Sequence, residues 1–372
     1  MKIIHIIGTR PQFIKIYAIR SAIEHYRQLN IFTDLQEVIL NTGQHYNANL
    51  CGYFESEFEL IVDYNLDIRE KYHGKMTARM IAAIEEILIT EKPDRVLVYG
   101  DTNSTLSGAL AAAKLHIPIA HIESGLRSFN MNMPEEINRI ITDRLSTWLF
   151  CPNEGAVLNL TREGIGVQND LGFNGFNQRV FNVGDVMFDV FYHFFQTNIF
   201  RMKPTISLEG MDNGFYLATV HRSENTDNAE RLHNIMEGLD EISGRTPIVM
   251  PIHPRTKNAI HEMDIKTEHI RMIDPVGYLD MMHLLKNCDG VFTDSGGLQK
   301  EAYFMRKFCV ILRDETEWIE LVENGYSILA GASRKKIIDS EVLYQSEKIK
   351  WTNGLFGNGD TGRKIVQVIF AE

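Results

Sequence analysis

The chain has 372 residues, of which 44% are hydrophobic, 23% charged and 10% aromatic; these proportions exclude a disordered or fibrous chain and suit two globular domains, at most three. Asp and Glu number 49 against 38 Lys and Arg, a net charge of −11. A surface that acidic, with no Lys/Arg-rich run to offset it, repels a nucleic-acid backbone and excludes polynucleotide binding, yet a small anionic substrate is allowed, because a few local cations and helix N-termini hold a phosphate pair whatever the global charge.

In chain order, short β-branched apolar runs predict strands at Lys2–Ile7, Glu37–Asn41, Arg95–Tyr99, Ile117–Ile122, Thr147–Cys151 and near Val180–Val183. A second series follows at Phe215–Val220, Pro247–Pro251, Ile270–Ile273, Val291–Thr293, Cys309–Leu312 and Ser327–Leu329. Amphipathic stretches of helical length lie between them, among them Pro11–Leu29, Met76–Glu91, Thr102–Leu115 and Glu135–Ser146, and Gly359–Glu372 reads as a last helix. Strands apolar on both faces that alternate with helices predict parallel sheets covered on both sides. Two such series, separated by the less regular Asn198–Gly214, predict an α/β protein of two doubly wound halves.

The four cysteines, at 51, 151, 288 and 309, are too few and too scattered for a disulfide framework, and none falls in a metal-type spacing. Cys151, Cys288 and Cys309 lie in or beside apolar runs and read as small core hydrophobes. The N-terminal apolar run is short and ends in Gly-Thr-Arg-Pro, unlike a signal peptide. No stretch approaches the roughly 20 apolar residues of a membrane span. The expectation is a cytoplasmic protein.

Ligands of open α/β sheets bind at the carboxyl ends of strands, so the residues just after each strand are the candidates. The first strand runs into Gly8-Thr9-Arg10-Pro11-Gln12, where Pro11 suits a first helical turn; Arg10 and Lys15 flank that turn as solvated cations or as anion ligands. It is not a dinucleotide fingerprint, for G-x-G-x-x-G is absent. Asp101, after RVLVYG, either caps the next helix or puts a carboxylate in a cleft for acid/base work. Glu123 ends the apolar run IPIAHIE, and a carboxylate there needs partners. His121, within that run, reads as a satisfied core histidine. Glu135 and Arg139 are at i,i+4, side by side on one helix face, either as a surface pair or as part of a site. Asp101, Glu123 and Glu135 together can push one another's pKa values apart and divide acid and base roles.

The second half offers His221 at the end of Phe215–Val220, as a loop histidine or a titratable phosphate contact. Val291–Thr293 leads through Asp294 to Ser295-Gly296-Gly297 and a helix, whose free N–H groups and glycines make an anion cradle. Glu301 lies six residues on, roughly 9 Å along a helix, about the reach from a diphosphate to a ribose.

With these residues in place, the chain resembles the non-hydrolysing UDP-N-acetylglucosamine 2-epimerase family. The similarity runs in order through GTRPQFIK, NTGQHY, VYGDTNSTLSGALAAAK, HIESGLRS, PEEINR, VGDVMFD, HRSEN, DPVGYLDMMHLL, TDSGGLQKEA and LRDETE. The resemblance implies two Rossmann-like domains arranged as in GT-B glycosyltransferases, 1–183 and a UDP-binding 184–356, with the active site in the cleft between them and the helix 357–372 returning to the first. It implies a UDP-sugar substrate, no metal or nicotinamide cofactor, and a homodimer. The reaction removes the C2 proton and expels UDP to give a 2-acetamidoglucal-type intermediate, then adds UDP back with C2 inverted. By matching motif, the catalytic set falls on Asp101, Glu123, Glu135 and His221. Substrate contacts fall on Arg10, Lys15, Arg139, Ser295, Gly296, Gly297, Glu301 and Arg313.

Three places depart from the commoner N-acetylglucosamine pattern. Gln12 stands where those enzymes read Glu, Gln299-Lys300-Glu301-Ala302 replaces Q-E-E-A, and Thr316-Glu317-Trp318-Ile319-Glu320 replaces T-E-R-P-E. GTRPQFIK, HRSEN and LRDETEW look closer to the branch that acts on UDP-2,3-diacetamido-2,3-dideoxyglucuronic acid for surface polysaccharides. Gln44-His45-Tyr46 only partly matches the loop of the allosteric UDP-sugar site found in some bacterial members. Two competing functions share the fold: a hydrolysing epimerase and a GT-B glycosyltransferase.

Overall fold

A computed structural model describes residues 1–44, 60–167, 177–196, 211, 213–346 and 349–371. Cys51, His45-Tyr46 and all of Asn198–Gly214 except 211, 213 and 214 lie outside the described residues. The chain divides into two compact units, Met1–His193 with Gly354–Glu372, and Phe194–Asn353.

The first unit is built on a seven-stranded sheet: β1 (Lys2–Ile7), β2 (Gln36–Asn41), β3 (Tyr64–Asn65), β4 (Arg95–Tyr99), β5 (Ile119–Ile122), β6 (Trp148–Cys151) and β7 (Arg179–Asn182). Its order is β3-β2-β1-β4-β5-β6-β7, and every pairing is parallel. The central strands β4, β5 and β6 are buried throughout, which is why their sequences are unbroken apolar runs rather than alternating ones. β5 begins two residues later than its apolar run because Pro118 has no N–H to give the ladder. β3 is two residues long with no residue buried, so no apolar run announces it. The helix His73–Glu91 covers one face with Met80, Ile84 and Leu88, one turn apart, the spacing of a single helical stripe.

The second unit repeats the plan with β8 (Tyr216–Thr219), β9 (Ile248–Pro251), β10 (Arg271–Ile273), β11 (Gly290–Thr293), β12 (Phe308–Ile311) and β13 (Ser327–Leu329). Its sheet, in the order β10-β9-β8-β11-β12-β13, is again parallel. Leu232, Ile235, Met236, Leu239 and Ile242 of the helix Ala229–Ser243 pack on Tyr216, Ala218, Ile248 and Met250. In both sheets the strand order reverses beside the first strand, between β1 and β4 and between β8 and β11. These switch points are where loops part and leave a crevice.

The helix Thr361–Ala371 packs against the helix Arg10–Gln28 in the first unit. Gly362 makes the approach possible: a Cβ there would stand 2.5 Å from the Ala18 carbonyl oxygen. The Gly362 N–H donates to Asp189 Oδ2 at 2.7 Å, and the Asp185 N–H donates to the Phe356 carbonyl at 2.9 Å. Cys151, Cys288 and Cys309 are free and buried; burial pushes the first two thiols up to about 12 and raises the third further. They are the core hydrophobes their surroundings predicted.

Candidate active site

In the first unit, β1 ends at the turn leading into the helix Arg10–Gln28, which brings Lys15 round to the carboxyl end of the sheet. Gln12 is buried and ties that turn to the next strand end. Its Oε1 accepts the Gly8 and Thr9 N–H groups at 2.8 and 3.1 Å. Its Nε2 donates to the Tyr99 carbonyl at 2.7 Å and to the hydroxyls of Thr102 and Thr105 at 3.0 Å. The Gln-for-Glu departure therefore serves the scaffold, since an amide, unlike an ionised carboxylate, supplies an acceptor and a donor at once.

β4 ends at Gly100, whose φ of +63° favours glycine. A Cβ here would stand 3.0 Å from Lys15 Nζ and 3.8 Å from Glu123 Oε1. Lys15 Nζ lies 2.8 Å from Glu123 Oε2, both side chains nearly buried. Glu123 itself has φ +71°, a left-handed conformation that costs a non-glycine residue and that clusters at functional sites. Asp101, part-exposed, accepts from Arg139 Nη2 at 2.5 Å, and its backbone carbonyl accepts from Asn138 Nδ2 at 2.9 Å.

The helix Pro134–Leu145 delivers a buried polar face. Arg139 also donates to Glu136 at 2.8 Å, and the Glu136 carboxylate accepts the Ser128 and Phe129 N–H groups. Glu135, at the start of the same helix, is part-buried. Of the two readings of the Glu135–Arg139 pair, a surface pair does not suit Arg139, which is buried and bound to Asp101. His121 is fully buried with both ring nitrogens engaged, Nδ1 with Asp143 at 2.6 Å and Nε2 with the Gly100 carbonyl at 2.7 Å. The first unit therefore gathers Lys15, Glu123, Asp101 and Arg139 as two opposite-charge pairs at adjoining strand ends, with Arg10 and Glu135 opening the two flanking helices. Such a set puts two carboxylates, as proton acceptors, beside two cations, as anion ligands, at neighbouring strand ends.

In the second unit, His221 lies two residues past the end of β8 and is more than a third exposed. The buried Asp294 beside it accepts the His221 and Arg222 N–H groups at 2.9 Å and Asn225 Nδ2 at 3.1 Å, and lies 3.3 Å from His221 Nδ1. After β11, Ser295 caps the helix Gly296–Phe304 through its hydroxyl. The bare Gly296 faces Trp318 Nε1, Glu317 Oε2 and Arg222 Nη2 at 3.6–3.9 Å from where a Cβ would be. That turn has free N–H groups and a cation beside it, which suits an anion. Glu301 is nearly buried on the same helix. Arg313 is wholly buried: it forks onto Glu317 at 2.9 and 3.0 Å and faces Glu224 at 3.3 Å, so it braces the loop behind the cradle. Lys300 Nζ sits 4.0 Å over the Trp318 ring, so two of the three sequence departures meet each other.

Strand-end logic did not single out Asp143, Arg127, Asp294 or Arg222. Asp294 and Arg222 flank chosen residues directly; Asp143 was signalled only by its spacing, four residues past Arg139 on one buried helix face. Among the described residues no group of three His, Cys, Asp or Glu side chains could hold a metal, and no helix is long and apolar enough to cross a membrane.

The sequence profile of the family described as UDP-N-acetylglucosamine 2-epimerase matches residues 27–370. The UDP-2,3-diacetamido-2,3-dideoxy-D-glucuronate 2-epimerase of Pseudomonas aeruginosa is 48% identical over 371 residues, 99% of each chain. The UDP-N-acetylglucosamine 2-epimerase of Methanocaldococcus jannaschii is 41% identical over 379 residues, again 99% of each. The crystal structure of the Methanocaldococcus jannaschii UDP-GlcNAc 2-epimerase in complex with UDP-GlcNAc and UDP matches over 100% of both chains, at 40% identity and a TM-score of 0.88. With two Rossmann-like sheets of the GT-B-like class and a match along nearly its whole length, the chain belongs to the UDP-N-acetylglucosamine 2-epimerase family.

Proposed function

We propose that this protein is a non-hydrolysing UDP-sugar 2-epimerase acting on UDP-2,3-diacetamido-2,3-dideoxyglucuronic acid, inverting C2 by deprotonation, expulsion of UDP and its re-addition. The pairing of Lys15 with Glu123 and of Arg139 with Asp101 carries the proposal: carboxylates held beside cations at adjoining strand ends can take a proton from carbon and return it. Glu135 and His221 complete the acid/base set. Arg10, Lys15 and Arg139 supply positive charge where phosphate departs. In the second unit, Ser295-Gly296-Gly297 takes the diphosphate and Glu301 the ribose. The 48% identity to the Pseudomonas aeruginosa enzyme, against 41% to the Methanocaldococcus jannaschii one, favours the diacetamido sugar over UDP-N-acetylglucosamine.

Among the described residues Cys151, Cys288 and Cys309 form no disulfide, which supports a reducing, cytoplasmic compartment, and the family resemblance supports a homodimer. Proton NMR in D2O, with each sugar nucleotide in turn and no added metal or nicotinamide, tests the function. A new manno-configured UDP-sugar carrying deuterium at C2 is expected from the diacetamido substrate. Turnover of UDP-N-acetylglucosamine alone would move the protein to the other branch. Release of free sugar and UDP would make it a hydrolysing enzyme, and no C2 exchange in either sugar would refute epimerisation of both.

A further inference from the structure

His121 lies on β5 between two groups that can only accept. Its Nδ1 is 2.6 Å from the Asp143 carboxylate and its Nε2 is 2.7 Å from the Gly100 carbonyl oxygen. A neutral imidazole carries hydrogen on one nitrogen and a lone pair on the other. Either neutral tautomer would therefore press a lone pair against an oxygen at contact distance, in a site with no solvent exposure.

The charges around the ring agree. Asp143, from the helix Pro134–Leu145, faces His121 with one oxygen; with the other it accepts the Gly125 N–H at 3.1 Å and pairs with Arg127 at 2.8 Å. Arg127 in turn forks onto Glu163 at 2.6 and 2.8 Å. On the strands at either side His121 pairs with Val98 of β4 and Leu149 of β6, neither of which titrates. Cys151 of β6 lies near the cluster, its Sγ 3.6 Å from Ser124 Oγ. The Lys15–Glu123 pair lies beyond Gly100. Two carboxylates, the buried Asp143 and the part-exposed Glu163, thus stand against one guanidinium, a net negative charge that a cation at His121 balances. An uncompensated buried charge is costly. The second Asp143 oxygen takes both the Gly125 N–H and the Arg127 guanidinium, and hydrogen bonds and a cation at a carboxylate favour its ionised form, so Asp143 is not the donor.

We propose that His121 is a positioning residue: a fixed imidazolium that, with Asp143, locks the turn carrying Asp101 to the turn carrying Glu123. Its Nε2–H holds the Gly100 carbonyl, one residue before Asp101, while Asp143 holds the Gly125 N–H, two residues past Glu123. The catalytic consequence rests on the assignment of those two carboxylates to the C2 proton chemistry; the protonation of His121 does not.

The test uses the full chain labelled with 15N in its histidine rings, with His121→Gln to assign the signal. At about pH 8, where an ordinary histidine is neutral, both His121 nitrogens are expected to carry hydrogen. Asp143→Asn can keep every hydrogen bond, its amide N–H donating to Nδ1 and its oxygen accepting from Gly125 and Arg127, while removing the counter-charge. In that variant His121 is expected to revert to a single N–H. C2 exchange is expected to slow about tenfold with UDP affinity unchanged. A single N–H on His121 in the native protein overturns the proposal, and so does an Asp143→Asn enzyme that turns over at the native rate with His121 discharged. Should native protein exchange no C2 proton, the epimerase assignment fails on its own and the ring spectrum still decides the charge of His121.

Discussion

Lys15 Nζ meets Glu123 Oε2 at 2.8 Å beside the missing side chain of Gly100, so a left-handed glycine just past β4 makes room for an ion pair between the helix after β1 and the end of β5. Glu123→Gln keeps the shape and the donor contact while removing the proton capacity. C2 exchange is expected to fall at least about a hundredfold, with UDP affinity nearly intact. Deuterium incorporation by NMR and calorimetric titration with UDP check the two halves. Unchanged exchange would remove Glu123 from the acid/base set.

Gln12→Glu retains the oxygen that accepts the Gly8 and Thr9 N–H groups but turns a second oxygen against the Tyr99 carbonyl, which the amide now approaches at 2.7 Å. Losing a buried donor in this way costs about 1–3 kcal/mol. Urea denaturation should show that loss of stability with no change in which sugar turns over, because Gln12 is 1% exposed.

Lys300 and Trp318 are predicted to be coupled. The ammonium is 4.0 Å from the ring centroid and both residues are buried, a setting in which such a contact is worth about 2 kcal/mol. Trp318→Arg alone would set two cations against each other, whereas Lys300→Glu with Trp318→Arg replaces the contact by an ion pair. The double variant should regain most of the stability each single one loses, in a denaturation cycle. Additive losses would show that the two positions are independent.

Asp189 is expected to weaken the fold above mildly acidic pH. Burial lifts its carboxyl from 3.8 to about 6, against the hydrogen bonds from Gly362 and Thr361 that pull it down. The folded chain therefore keeps a proton between about pH 4 and pH 6 that the unfolded chain has released. Stability from this group is full below that window, falls as pH rises through it, and stays lowered above it. Asp189→Asn removes the charge and should add about 2 kcal/mol near neutral pH, with little effect at pH 4, measured as thermal denaturation against pH.

The strand ends of both units were legible because parallel strands buried on two faces must be apolar along their length and must stop at polar turns. Asp101, Glu123, His221 and Ser295 all follow such stops. Asp143 and Arg127 were not legible, for their roles depend on a helix face that is polar yet buried, and periodicity alone assigns polar faces to solvent. Glu136, Arg139 and Asp143 lie at i, i+3 and i+7, a stripe that hydrophobic patterning treats as outward-facing. The left-handed backbone at Glu123 was equally hidden, since glutamate gives no local sign of positive φ. The Lys300–Trp318 contact showed only as two separate departures until the loop before the helix Ile319–Glu323 brought them together.

The seating of Gly362 on Ala18 bears on synthesis. The first unit takes its closing helix from residues made after the whole of the second, so as the chain leaves the ribosome the unit bearing Asp101 and Glu123 waits unfinished while the second unit can already fold. The face of Arg10–Gln28 that receives Thr361–Ala371 is exposed throughout that interval, the stage at which unfinished folds are most prone to aggregate. Lesions in Thr361–Ala371 would thus be felt far back along the chain, in the unit that holds the carboxylates.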